Sequence, residues 1–164
     1  MGILCCLKQL SDKDIDYYLQ HPKKLSALLV GNEDDDNEED PTSTDIGKVW
    51  HAVHYLMTGE PDQAEPPLDF IFYGGEDAPG AAFGFGDGHV FRSAEVTKIF
   101  AALDKLSADQ LRTRFKPDTM NKLELYKRPF ANEDIDWILE QFLHLQKFVK
   151  MAADGGLGIL IYFS

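Results

Sequence analysis

Two histidines three residues apart, His51 and His54 in VWHAVHYLMTG (49–59), are the side chains whose type and spacing come nearest to a chemical site. Residues i and i+3 sit on neighbouring sides of a helix, so both imidazoles could reach one ion or hand on a proton near neutral pH. Helical zinc motifs, by contrast, space their histidines by four and place a glutamate after the first. Ala52 follows His51 here, and no carboxylate lies between the two histidines. His54 falls four residues after Trp50 on the apolar stripe, which predicts a core histidine bonded to a backbone carbonyl and no metal.

Other candidates are weaker. Glu76 and Asp77, beside Gly74–Gly75, could supply carboxylates, but adjacent side chains diverge and a solvated loop is the plainer expectation. GFGDG (84–88) has the glycines of a nucleotide-binding turn. That fingerprint needs a helix opening directly from the glycines, whereas HVFR intervenes and no phosphate-loop lysine follows. No Ser-His-Asp order, CxxC pair or GxSxG elbow is present, and no cofactor is expected. Cys5 and Cys6 are neighbours, so they offer no disulfide framework and read as small apolar residues of a buried strand. MGILCC also departs from the myristoylation pattern, having Cys6 where Ser or Thr belongs.

The run EDDDNEED (33–40) holds seven acidic residues out of eight and accounts for much of the net charge of −12. An EF-hand loop counted from Asp34 would need glycine sixth and glutamate twelfth, and those positions are Glu39 and Asp45. Like charges at this density repel and stay hydrated, so a flexible acidic loop is expected over about 32–44. With a pI near 4.7, nucleic-acid backbones and anionic membranes are poor partners for the surface. No apolar run approaches the roughly 18–20 residues of a membrane span. Paired with the absence of a secretory pattern and of a disulfide framework, this points to a cytoplasmic protein.

Elements must hold these residues in place. The chain of 164 residues, 44% hydrophobic and 27% charged, suits a single domain over 1–164 with its own core. GILCCLKQL reads as a first strand and LGILIYF as a last one. Between them the pattern predicts a helix capped by Ser11 and ended at His21–Pro22, then KKLSALLVG, then a helix over STDIGKVWHAVHYLMTG stopped by Gly59. FIFYGG reads as a short strand or buried turn, and Gly74–Gly88, with six glycines in fifteen residues, as a loop. RSAEVTKIFAALDKL should be a helix capped by Ser93, and SADQLRTRF one with a Ser107–Gln110 capping box. The longest helix starts at Asn132, faces Ile135, Ile138, Leu139, Phe142, Leu145, Val149 and Met151 inward, and ends at Gly155–Gly156. The expected class is α+β, a small sheet including both terminal strands packed with about five helices.

Taken in order, MGI, DIGKVWHAVHYLMTG, YGGED, RSAEVTKIFAALDKLSADQLRTRF, LELY and the apolar C-terminal strand resemble the YfbM-like family of small bacterial proteins of unknown function. The helix with Trp, His and the MTG turn is its most specific part. The resemblance implies a compact α+β cytoplasmic domain with no attributable activity. Trp50, His51, His54, Thr58 and the Gly74–Gly75–Glu76–Asp77 turn fall at the family's distinctive positions, without a role attached.

Two functional expectations follow. One is a non-enzymatic binding protein of the immunity type, in which Asp34, Asp35, Asp36, Glu38 and Glu39 meet a basic toxin, since complementary charge speeds and orients association. The other is an enzyme or small-ligand binder with a cleft near Trp50, His54 and the glycine-rich loop, in which His51 or His54 reaches solvent beside Glu76 or Asp77.

Overall fold

The computed structural model describes residues 2–31 and 39–164; Asp34, Asp35, Asp36 and Glu38 lie outside the described residues. Strand β1 (Cys5–Leu10) and strand β5 (Gly158–Phe163) pair antiparallel along their whole length, from Cys5 opposite Phe163 to Leu10 opposite Gly158. Backbone bonds between Leu4 and Ser164 extend the pairing by one step. Three shorter strands complete the sheet: β2 (Ser43–Asp45), β3 (Glu76–Ala78) and β4 (Gly88–Phe91), in the order β2-β1-β5-β4-β3. Every pairing is antiparallel.

Alternation along the strands builds two cores, because successive side chains leave a strand on opposite faces. Cys5, Leu7, Ile159 and Ile161 face the larger one, which the helices cover; Leu10, Val90 and Leu160 face the smaller. The smaller core is roofed by helices α1 (Asp12–Gln20) and α2 (Pro22–Val30), through Ile15 and Leu25. The larger holds α3 (Trp50–Thr58), α4 (Ser93–Leu103), α5 (Ala108–Arg114), α6 (Pro117–Lys122) and α7 (Asp134–Asp154). The described residues thus form seven α-helices, against about five expected. The difference comes from short pieces such as α6, six residues bounded by Pro117 and too brief to show a full apolar stripe.

Four local expectations are revised. The helix expected over 43–59 begins only at Trp50, because Ser43–Asp45 is recruited as a strand onto β1 and so also shortens the acidic loop expected to run to about 44. The glycine-rich 74–88 stretch carries β3 and the first residue of β4, whose partner β5 lies some seventy residues away in sequence. Its Gly75 sits at φ +71°, and a Cβ there would approach the Val90 carbonyl to 2.5 Å. Met151 is 49% exposed rather than inward, because the buried stripe of α7 passes through Val149 and Ala152. Cys6 is only half-buried, since it faces away from the core that holds Cys5.

Caps are mixed in origin. The Ser11 cap and the Ser107–Gln110 capping box stand where the pattern put them. At α4, Ser93 is the first helical residue, not the cap, and its backbone N–H and hydroxyl both go to the Asp12 carboxylate from α1.

Candidate functional site

Helix α3 buries Trp50 and His54 in the larger core and holds His51, partly buried, at its boundary. Trp50 donates through Nε1 to the carbonyl of Ile3 (2.9 Å) and stacks between His51 and Tyr126. The backbone N–H of Tyr126 donates to His51 Nδ1 at 2.9 Å. Nδ1 is therefore the acceptor and Nε2 the protonated nitrogen, which donates to the carbonyl of Pro61 at 2.7 Å. His54 makes the same bond one residue further on, from Nε2 to the carbonyl of Asp62 at 2.6 Å. The two histidines fasten the loop after α3 onto the helix by consecutive carbonyls.

His54 is fully buried, and its Nδ1 has no hydrogen-bond partner among the described residues. Burial holds its pKa below the ordinary value; the bond to the Asp62 carbonyl opposes that shift without cancelling it. Thr58 closes the same turn: its hydroxyl bonds the His54 carbonyl at 2.9 Å and accepts the Glu60 N–H at 3.1 Å.

Glu76 and Asp77 belong elsewhere. Glu76 pairs with Arg92 at 3.1 Å, and Asp77 stands opposite His89 across β3 and β4. Among the described residues, no hydrogen bond or ion pair joins either carboxylate to His51 or His54. The six residues singled out from sequence thus divide into a helix–loop fastening and a strand-edge pair. Among the described residues, no group of three or more His, Cys, Asp or Glu side chains is placed to hold a metal ion.

The sheet edge at β2 holds an opening that the sequence did not reveal, a groove of about 810 Å³ between β2 and α7. Its lining includes Glu39, Thr44, Asp45, His144, Phe148 and Met151. Thr44 Oγ1 and His144 Nε2 share a hydrogen bond of 2.5 Å across it. Only Glu39 was among the sequence candidates. Asp40 is held at its rim: its carboxylate accepts from Lys8 Nζ (3.0 Å), from both the N–H and hydroxyl of Thr42, and from Ser43 Oγ. These bonds, that of the Thr42 hydroxyl foremost, keep its pKa well below the carboxylate range.

On the other face of the sheet, Cys6 Sγ lies 3.5 Å from Ser164 Oγ, and Tyr162 stands opposite Cys6 in the β1–β5 pairing. Burial raises the Cys6 thiol and the Tyr162 hydroxyl above their usual values, so neither is ionised near neutral pH. The signal for this region was faint: STD precedes a helical pattern, and its strand character shows only against β1.

Residues 1–162 match the family described as "Domain of unknown function (DUF1877)". The chain belongs to this family. The DUF1877 fold seen here is similar to the crystal structure of YfbM, a protein of unknown function from Escherichia coli, with a TM-score of 0.69. That match covers 98% of this chain and 99% of the other at 18% identity, which shows a shared fold and nothing about activity. No curated protein matches the chain. No helix among the described residues is long and apolar enough to cross a membrane.

Proposed function

We propose that this DUF1877 protein is a non-enzymatic binding protein that takes a basic protein partner, as an immunity-type inhibitor takes a toxin. One observation carries the reading: the groove beside β2 is lined by Glu39 and Asp45, and Glu39 belongs in the sequence to the acidic run 33–40. A basic surface approaching this side meets the carboxylates of Glu39 and Asp45 at the groove wall, and the chain carries a net charge of −12; complementary charge of this kind raises association rates. The histidines support the same view, because His51 and His54 are occupied with loop carbonyls rather than turned toward a substrate.

The test is affinity capture from a lysate of the source organism at low ionic strength, followed by binding measurements on the purified partner. A basic protein retained at about 50 mM salt and released near 0.5 M, where charges beyond about 3–4 Å are screened, is the expected result. Replacing Asp34, Asp35, Asp36, Glu38 and Glu39 by their amides should weaken the complex by at least about tenfold. Retention of no basic protein, or full affinity in the amide variant, overturns the proposal.

A further inference from the structure

Strand β2 ends the sheet, and its hydrogen-bonding pattern shows which backbone groups it has to spare. Ile46 N donates to Cys5 O and Gln9 N donates to Thr42 O, while Thr44 stands opposite Leu7. The Thr42 carbonyl and the Ile46 amide are thus turned inward to β1, and Thr44, midway between them, lies in the same phase of the ladder. In an antiparallel ladder the alternate residues, Ser43 and Asp45, must turn theirs outward. Ser43 N is taken by the Asp40 carbonyl at 3.1 Å. The Ser43 carbonyl and both backbone groups of Asp45 remain pointed away from the sheet, without a backbone partner among the described residues.

The side chains divide the other way. Thr44 faces α7, where His144, Phe148 and Met151 stand; Asp45 faces the opposite side with Cys6 and Tyr162. The groove accordingly straddles the strand edge, with one wall offering apolar surface from Phe148 and the 49% exposed Met151. The other wall offers carboxylate: Asp45 Oδ1 accepts the Gly47 N–H at 2.8 Å, and Oδ2 has no hydrogen bond or ion pair among the described residues. Lys147, on the α7 side, carries no ion pair among the described residues and disfavours a second positive charge on that wall.

From these observations we infer that β2 accepts an extended basic segment of a partner protein as a sixth strand. Its alternate residues are apolar toward Phe148 and Met151, and lysine or arginine toward Asp45 and Glu39. Period-two alternation of a strand matches a groove whose two walls differ in this way, and main-chain bonds to Asp45 supply register. The inference rests on the basic-partner reading above and names the conformation and pattern of what binds. The edge is short, as exposed edges usually are, which limits pairing to a brief segment.

The probes are short synthetic peptides offered to the full chain. One alternates lysine with valine; a second has the same composition in two blocks; a third is the alternating peptide N-methylated on every second residue, in both phases. Strand addition predicts that the alternating peptide binds at least about tenfold tighter than the block peptide. It also predicts that one phase of N-methylation abolishes binding and that Met151→Lys weakens it by a similar factor. The Asp45 amide should show the largest shift in a heteronuclear NMR titration. Equal binding of alternating and block peptides, or indifference to N-methylation, overturns strand addition and leaves the basic-partner reading standing. Absence of binding by any peptide also overturns it, whereas failure of the lysate capture overturns the broader reading.

Discussion

His51 and His54 donate to the carbonyls of consecutive residues, Pro61 and Asp62, at 2.7 and 2.6 Å. The pair therefore acts as a double fastening of the α3–loop junction. His51 is satisfied at both nitrogens, while His54 Nδ1, in the core, has no partner among the described residues.

Protonating His54 would place a charge and a second N–H at a buried position where the described residues offer Nδ1 no acceptor. Its pKa in the fold is held down chiefly by burial, as is that of His89, which donates to the Phe70 carbonyl. The unfolded chain therefore binds these protons more readily than the folded one. Stability from both histidines is complete above their ordinary value of 6.5 and is lost as pH falls below it toward the depressed folded values. Thermal unfolding should show Tm declining from about pH 6.5 to about 5, with His54→Gln flattening part of the decline. An NMR titration placing His54 at the ordinary histidine value would refute this.

Glycines that share a left-handed backbone should separate by their surroundings. Gly75→Ala meets the Val90 carbonyl at 2.5 Å in addition to its φ of +71°, whereas Gly84→Ala, at φ +91°, meets nothing within 4 Å. Chemical denaturation should show a loss of about 1–2 kcal/mol at Gly84 and clearly more at Gly75. Equal losses at the two sites would mean that the backbone around Gly75 relaxes freely.

Asp40 gathers Lys8, Thr42 and Ser43 at the start of β2. Lys8 is only 9% exposed, so Asp40→Ala leaves an ammonium with its hydroxyl neighbours alone. The expected cost is about 1–3 kcal/mol in urea unfolding, and Asp40→Asn should cost less because the amide oxygen still accepts. Full stability in the alanine variant would show that water replaces the carboxylate at no cost.

The two thiols should differ in access and share low reactivity. Cys5 is completely buried, with burial the main cause of its raised pKa, and Cys6 is half-buried with its pKa raised for the same reason. Iodoacetamide at neutral pH should alkylate Cys6 slowly, faster as pH rises, and Cys5 only on unfolding. Rapid labelling of either residue at pH 7, read by mass spectrometry, would contradict this.

The sequence by itself determined the parts whose signals are local. Both terminal strands, the Ser11 cap, the Ser107–Gln110 box and the stripe of α7 from Ile135 to Val149 were legible because a short apolar run or a 3.6-residue period needs no distant partner. So was the core position of His54, four residues from Trp50 on a buried stripe. Tertiary structure alone decided the rest. Strands β2 and β3 are three residues each; β2 exists through β1, more than thirty residues earlier, and β3 through β4, which is itself held by the distant β5, so their local pattern reads as helix start or glycine loop. The turn of Ser93 toward Asp12, across eighty-one positions, is likewise set by how α1 packs beside α4. The groove arises where the edge of β2 meets α7, joining Asp45 to Met151 through folding and through no spacing that the chain displays.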